Sequence, residues 1–322
     1  MKSKILVMIA AGVLAGGPAL AQETWPAQPI RLVVGYAPGG PVDTTARAFA
    51  KYLGTELKQT VVVENRAGAS GMIAAESTSR ATPDGYTLNF VASPTMTITP
   101  LIQRAHKVDH DKDFTFIGQL VNYTNVLVIN KDLPVTNIKE LIEYAKKNPN
   151  IVSFGSAGVG GSNHLSAELL KQKTGTEMLH VPYKGNAPAM MDVIGGKITY
   201  MFDITSTAIP FIESGKVRAL AVTSRERNSG LPNVPSMIEA GVDDYEVTGW
   251  YGLIGPAKLP ESVVQRLHTA LHNITKDDSF IKQMNSGGYT VVLTDGEALK
   301  QRAKREYAMW DDVIKQAKIL EN

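Results

Sequence analysis

The chain has 322 residues, a formal net charge of +2 at pH 7 and no cysteine. The near-neutral charge argues against a nucleic-acid-binding protein, because such proteins normally carry a basic face. The lack of cysteine excludes disulfides, a thiol nucleophile and a thiolate metal site. The length of the chain predicts two domains.

The first 21 residues have the pattern of a secretory signal peptide. Lys2 and Lys4 precede an apolar run at residues 5–15, which is too short to span a bilayer comfortably, and residues 19–21 form a small-x-small cleavage site. We expect export and cleavage after Ala21, with a membrane anchor as the alternative. Removal of the leader leaves 31 basic and 31 acidic residues, so an anionic ligand must be held by local groups.

Short β-branched runs alternate with helix-length segments along the rest of the chain, which predicts α/β lobes with mainly parallel sheets flanked by helices. Extended runs near residues 121–124 and 247–249 could bridge two sheets. We therefore expect lobe 1 at residues 22–122 and 248–322, and lobe 2 at residues 123–247. The predicted strands lie at residues 31–34, 61–64, 87–90, 116–119, 126–129, 151–154, 178–181, 199–202, 217–222, 250–254 and 289–293.

Residues 31–47 have the pattern of a buried strand, a glycine-rich turn and an amphipathic helix. Asp43 is suited to cap this helix, and Arg47 lies four residues later, where it can pair with Asp43. Apolar residues at helical spacing predict one buried face, formed by Ala46, Phe49, Ala50, Leu53 and Leu57.

The same plan recurs at residues 151–165, with Ser162 or Asn163 as the helix cap, and a third helix start follows with Asn186 as its cap and Pro188 in its first turn. Helix N-termini expose unpaired N–H groups and the positive end of the dipole, and glycine lets a ligand approach closely. Two such turns on two lobes would clamp a small anion. The alternative is that the glycines only separate strand from helix.

Catalytic and cofactor motifs are weak in this chain. A nucleophile elbow is missing, because Ser156 has Phe154 two residues before it and Ser162 has His164 two residues after it. His164 fits a polar contact or a capping group better than a catalytic base. No P-loop, dinucleotide fingerprint or metal-binding spacing is present. We predict no cofactor and no metal site, and an exported α/β hydrolase or esterase is the alternative function.

Further candidate ligand residues follow predicted strands, since ligands of open α/β sheets lie at the carboxyl ends of strands. Ser93 and Thr95 follow the third predicted strand, and Asp203 follows the eighth. Asp203 could select a ligand amine or hydroxyl or repel a second carboxylate, or it could cap the next helix. Tyr36 and Tyr183 could pack on a ligand or belong to the core.

The chain resembles the Bug family of periplasmic solute-binding proteins of the tripartite tricarboxylate transporter type. The resemblance covers nearly the whole chain after the leader and rests on seven segments. They lie at residues 25–30, 33–40 with Asp43 and Arg47, 63–71, 81–88, 180–185 with 188–189, 220–224, and 233–236 with 239–241.

The resemblance implies a two-lobed periplasmic binding protein whose ligand cleft lies between lobes joined by crossing strands. It implies that the two glycine-rich turns grip a small mono-, di- or tricarboxylate, aliphatic or aromatic, for delivery to the membrane subunits of a secondary transporter. We expect a monomer, and a ligand sensor for a periplasmic receptor domain stays an alternative. The turn residues expected to bind are Tyr36, Ala37, Pro38, Gly39, Gly40, Ser156, Ala157, Gly158, Gly161 and Ser162.

Overall fold

The computed structural model describes residues 25–103, 105, 109–149, 151–183 and 185–316. The predicted signal peptide with its cleavage site after Ala21 lies outside the described residues. Within these ranges, no helix combines the length and the apolar character that crossing a bilayer requires.

Ten strands are present in the described part of the chain, and each predicted strand overlaps one of them. Their bounds are β1 (Ile30–Val34), β2 (Val61–Asn65), β3 (Thr87–Ala92), β4 (Phe114–Asn130), β5 (Ser153–Ser156), β6 (Leu179–Pro182), β7 (Tyr200–Ile204), β8 (Val217–Val222), β9 (Thr248–Pro256) and β10 (Tyr289–Asp295).

The long strand β4 belongs to two sheets. Up to Thr124 it pairs with β9 and β10, and from Asn125 onward it pairs with β7 and β8. Sheet 1 has the order β2-β1-β3-β9-β4-β10, and sheet 2 has the order β8-β4-β7-β5-β6. The two strands predicted at residues 116–119 and 126–129 are therefore one. Polar residues lie between the two predicted segments and interrupt the apolar pattern, although the backbone stays extended from sheet 1 into sheet 2.

The sheets are mixed rather than mainly parallel, which corrects the expectation from the alternating pattern. β1 is parallel to β2 and β3, and β5 is parallel to β6 and β7, as βαβ units require. The pairings of β3 with β9 and of β4 with β7, β8, β9 and β10 are antiparallel. The reason is that β4 and β9 run in opposite directions. In sheet 1, β9 is antiparallel to both β3 and β4, and in sheet 2, β4 is antiparallel to β7 and β8. The division into lobes at the predicted residue numbers stays a prediction.

Eleven helices are present in the described residues, besides a short 3-10 turn at Ala69–Gly71. They are α1 (Pro41–Leu57), α2 (Met72–Ser79), α3 (Ser93–Thr97), α4 (Thr99–Ile102), α5 (Ile138–Lys147), α6 (Ser162–Thr174), α7 (Asn186–Ile194), α8 (Thr205–Glu213), α9 (Glu261–Ile274), α10 (Asp278–Ser286) and α11 (Gly296–Gln316).

The predicted apolar face of α1 is buried against sheet 1. All five of its predicted residues are buried, and the Phe49 ring lies 5.7 Å from the ring of Phe90 on β3. They share one core with β9 and α9. A second core covers sheet 2, and Trp310 and Ile314 of α11 reach into it. The parallel parts of both sheets thus hold the starts of their helices in fixed positions.

Replacement of Phe49 by alanine tests the packing of α1. The side chain is fully buried, so we expect Phe49→Ala to lower the free energy of unfolding by about 3–5 kcal/mol. Lys51→Ala on the exposed side of the same helix is the matched control and should change it by less than about 0.5 kcal/mol. Urea unfolding measures both, and equal losses would contradict the assigned face.

Candidate functional site

A cavity of about 590 Å³ lies between the two sheets. Residues that end or follow β1, β2 and β3 line it from sheet 1, and residues that end or follow β5, β6 and β7 line it from sheet 2. The crossing strands contribute Tyr123 of β4 and Tyr251 of β9. The carboxyl ends of six strands therefore meet at one cavity, where open α/β sheets bind ligands.

The described residues that line the cavity include no Asp, Glu, Lys, Arg or His. Most of them are glycine, alanine, proline, valine or isoleucine, and the side-chain polar groups belong to tyrosine, serine, threonine and asparagine. The polar character of the walls therefore comes largely from the backbone.

Three helices begin at the cavity with glycine at the N-cap position. Gly40 precedes α1, Gly161 precedes α6 and Gly185 precedes α7, so none of these helices has a hydrogen bond from a cap side chain, although His164 N–H in the first turn of α6 donates to Asn163 Oδ1 at 3.0 Å. Away from the cavity, Asn137 caps α5 and Asp277 caps α10, each with a bond of 2.9 Å. The glycines leave the first-turn amides free of cap side chains, and the positive ends of the three helix dipoles are directed at one space.

The predicted caps are therefore wrong. Asp43 is the third residue of α1, Ser162 and Asn163 are the first two residues of α6, and Asn186 is the first residue of α7. Asp, Asn and Ser are the commonest N-cap residues, but a side chain at the cap would occupy the amides that face the cavity.

Asp43 holds the turn before α1 in place without lining the cavity. Its carboxylate accepts hydrogen bonds from Gly39 N–H at 2.8 Å, from Arg47 Nε at 2.9 Å and from Asn65 Nδ2 at 2.7 Å. Burial alone would raise the pKa of Asp43, but these hydrogen bonds outweigh it and hold the pKa below its usual value. Gly39 has φ +80°, a left-handed conformation that favours glycine. The predicted pair of Asp43 and Arg47 is confirmed.

Two histidines hold the turn before α6. Gly160 N–H donates to His164 Nδ1 at 3.0 Å, and Ser156 Oγ lies 2.6 Å from His180 Nε2. The two imidazole rings stack with centroids 3.8 Å apart. Burial lowers the pKa of His164 to about 3, with His180 and Lys171 adding to the shift, and burial lowers the pKa of His180 to about 4. Both rings are therefore neutral near pH 7.

The structure separates the predicted ligand residues into two groups. Those that line the cavity are Tyr36, Ala37, Gly39, Gly40, Ala157, Gly158, Gly161 and Ser162. Those that are not part of its lining are Pro38, Ser93, Thr95, Ser156, His164, Tyr183 and Asp203. Direct contact of any of them with a ligand stays a prediction.

Several residues of the second group support the walls. Ser93 Oγ accepts the N–H of Trp250 at 3.2 Å, and Thr95 Oγ1 donates to the carbonyl of Ser70 at 2.8 Å. The hydroxyl of Tyr183 donates to Asp192 at 2.8 Å, so it is directed along α7 instead of into the cavity.

Asp203 lies at the end of β7, fully buried, and binds α7 and α8 together. It accepts hydrogen bonds from the Asn186 side-chain amide of α7, from Ile204 N–H and from the Thr207 side chain of α8. Burial raises the pKa of Asp203 to about 6. Asp203 does not stand at the cap of α8, because Ile204 occupies the N-cap position, and selection of a ligand by Asp203 stays a prediction.

Sequence reasoning missed part of the lining. The turn after β2 contributes Ala67, Gly68 and Ser70, and the start of α7 contributes residues 185–188. The third strand-turn-helix pattern marked the start of α7 and could have identified it. No local signal showed that Tyr123 and Tyr251 face the cavity, because that depends on how the crossing strands pair.

The fold and the cavity are those of a two-lobed solute-binding protein. The family model for the tripartite tricarboxylate transporter family receptor matches residues 45–319, and the chain belongs to this family. Its members are periplasmic solute-binding receptors and not enzymes, which confirms the resemblance read from the motifs and leaves the hydrolase alternative without support.

Solved structures agree with this assignment. Rpa4515 of R. palustris, solved with adipate, is 33% identical with a TM-score of 0.85 over 91% of this chain and 98% of its own. The periplasmic binding protein BugD is 36% identical with a TM-score of 0.82 over 92% and 100%. MatC from Rhodopseudomonas palustris, solved with bound malate, is 29% identical with a TM-score of 0.79 over 90% and 100%.

We expect the protein to lose stability in acid, because His164, which holds the turn before α6, is buried as a neutral ring. The pKa of folded His164, about 3, is lower than that of the unfolded chain, so its contribution is present above pH 6.5 and is lost as the pH falls toward 3. From pH 7 to pH 5 we expect a loss of roughly 2 kcal/mol from this group. Urea unfolding at the two pH values measures it.

His164→Asn is the control for this prediction, because asparagine places an acceptor near the position of Nδ1 and does not titrate. The variant should lose roughly 2 kcal/mol less than the wild type between pH 7 and pH 5. Equal losses in the two proteins would show that the acid sensitivity arises elsewhere.

Proposed function

We propose that this protein binds a small carboxylate in the periplasm, between its two lobes, and delivers it as a monomer to the membrane subunits of a tripartite tricarboxylate-type transporter. The first-turn amides of α1, α6 and α7 receive the carboxylate. The observation that carries the proposal is that three glycine-capped helix N-termini open on a single cavity without a charged side chain among its described lining residues.

The interactions available at such a site are strong enough for micromolar binding of a carboxylate. Each helix start contributes about 0.3–1 kcal/mol toward a negative charge, rising to about 2 kcal/mol when partly buried. Charge-assisted hydrogen bonds add about 1.5–3 kcal/mol each. A few of these, after the cost of association, correspond to micromolar binding, about −8 kcal/mol. An arginine is not required.

Two related proteins support a carboxylate as the ligand class. The solved structure of Rpa4515 holds adipate, and that of MatC holds malate. Both share the fold of this chain over at least nine-tenths of its length. An anion with a small carbon body is the ligand chemistry that the two relatives and the cavity have in common.

The connections between the lobes support delivery by closure. Sheet 1 and sheet 2 share β4, and β9 runs beside its crossing segment, so a bend in these strands would bring the turns before α1 and α6 together. A carboxylate held by amides from both sides would favour the closed form, because only that form completes its hydrogen bonds. The closed form would then be recognised by the membrane subunits.

Gly40 offers a direct test of the amide clamp. Its backbone is extended, and an added Cβ would meet only the Ala37 carbonyl at 3.5 Å, which is ordinary contact. Gly40→Asp therefore places a capping carboxylate over the first turn of α1. We expect affinity for carboxylates to fall at least about tenfold, because one anion replaces the other, while thermal stability is kept or raised. Isothermal titration calorimetry with a panel of acids measures the affinity.

Two comparisons make this test decisive. Gly40→Asn fills the same amides without charge and should weaken binding less than Gly40→Asp. Each acid is also compared with its uncharged amide, which should bind far more weakly to the wild type. Equal affinity for acid and amide, or unchanged binding by Gly40→Asp, would rule out the proposed clamp.

A further inference from the structure

A row of side-chain hydrogen bonds joins the end of β7 to the starts of α7 and α6. Asn186 Nδ2 donates to Asp203 Oδ1, and Asn163 Nδ2 donates to Asn186 Oδ1 at 3.1 Å. His164 N–H, in the first turn of α6, donates to Asn163 Oδ1 at 3.0 Å. The two asparagines line the cavity, whereas Asp203 is buried and is not part of the lining. We call Asp203, Asn186 and Asn163 the amide relay.

The carboxylate sets the direction of the relay. An ionised carboxylate only accepts hydrogen bonds, so Asn186 must turn its amide nitrogen toward Asp203 and its oxygen toward Asn163. Asn163 must then turn its nitrogen toward Asn186 and its oxygen toward His164 N–H. Reversal of either amide would bring two acceptors or two donors together. Burial raises the pKa of Asp203 to about 6, so the carboxylate is largely ionised above pH 7.

The carboxylate itself is held in place by sheet 2 and α8. Ile204 N–H donates to Asp203 Oδ1 at 2.8 Å, and the Thr207 side chain donates to the same carboxylate. Strand β7 pairs with β5, which leads into the turn before α6. The relay therefore connects the starts of α6, α7 and α8 as one unit with fixed amide orientations.

This orientation decides what the two asparagines offer to a ligand. Both amide oxygens already accept a hydrogen bond within the relay, so the groups that the amides have left are N–H donors. A carboxylate only accepts, and it suits a wall of donors. An uncharged amide of the same shape must also donate through its own NH2 group, and a donor set against donors loses its water without gaining a partner.

We propose that Asp203 is a positioning residue, which acts through Asn186 and Asn163 to keep their side-chain oxygens from the ligand, so that the site discriminates a carboxylate from the corresponding amide. This inference rests on the carboxylate-binding function proposed above and assigns part of its selectivity to a residue that does not line the cavity. The quantity that Asp203 controls is the ratio of the affinities for acid and amide.

Paired ligands test the proposal by titration calorimetry at pH 8, where Asp203 is ionised. The acids are butanoate to octanoate, the α,ω-diacids of the same lengths, malate, benzoate and terephthalate, each measured beside its amide. In Asp203→Ala the Asn186 amide is free to turn its oxygen toward the cavity. We expect the ratio of acid to amide affinity to fall about tenfold for the acid that the wild type binds best. An unchanged ratio would overturn the proposal.

Asp203→Asn is the conservative variant that should restore the selectivity. Ile204 N–H and Asn186 Nδ2 donate to the same oxygen, Oδ1, so the backbone N–H requires an acceptor at that position in the variant too. The new amide nitrogen can donate to the Thr207 hydroxyl. The ratio should stay within about twofold of the wild type. A loss as large as that in Asp203→Ala would contradict positioning by an acceptor oxygen.

A double-mutant cycle tests whether Asp203 acts through Asn186. Asn186→Ala alone should also lower the ratio, and adding Asp203→Ala should lower it by less than about twofold more, because the relay is already interrupted. A further tenfold loss would show that Asp203 acts by another route and would overturn the assignment. If Asp203→Ala does not fold, Asn186→Ala and Asp203→Asn decide: the ratio must fall in the first and be kept in the second.

Val193→Ala separates selectivity from stability. Val193 is fully buried on α7 and takes no part in the relay, so this variant should lower the melting temperature and leave the ratio of acid to amide affinity unchanged. An equal fall of the ratio in Val193→Ala would reduce the effect of Asp203 to stability and overturn the proposal.

Failure of this inference is distinguishable from failure of the proposed function. If none of the acids binds the wild type, or if each amide binds as tightly as its acid, the proposed function fails. If the wild type prefers acids and Asp203→Ala keeps the same preference, only the positioning role of Asp203 fails.

Discussion

The glycine-capped N-termini of α1, α6 and α7 are the constraint on which the rest of the structure depends. Helix amides without partners are costly unless solvent or a ligand satisfies them. Gly40, Gly161 and Gly185 keep cap side chains off those amides, and the two sheets direct the three helix N-termini into one cavity. The remaining features of the site hold these glycine turns in place or shape the space between them.

The two principal turns are held by different chemistry. Before α1, the ionised Asp43 connects Gly39, Arg47 and Asn65, and before α6 a neutral histidine accepts from Gly160. In both turns the titratable group stands behind the backbone and does not line the cavity. The protein thereby keeps charged side chains away from the cavity while it holds the backbone of both turns in place.

Much of the fold could be predicted from local patterns, because strands, amphipathic helices and glycine turns depend on neighbours in sequence. The buried face of α1 and the position of β8 at Val217–Val222 are examples. The helix caps could not be predicted in the same way. Asp43 and Asn186 are residue types that usually cap helices, yet glycine occupies the cap position in both cases. Helix stability alone would favour a capping side chain, but such a side chain would occupy the amides that face the cavity.

The sequence by itself determined the family, the alternation of strands and helices, and the two glycine-rich turns, because each is written in contiguous residues. Only the tertiary structure decided that β4 and β9 cross between mixed sheets and that Tyr123 and Tyr251 line the cavity. It also decided that Ser156 and His164 support the turn before α6 and do not line the cavity. The physical reason is that these outcomes depend on pairings such as that of Asn122 with Trp250, which join residues far apart in the chain and leave no local pattern.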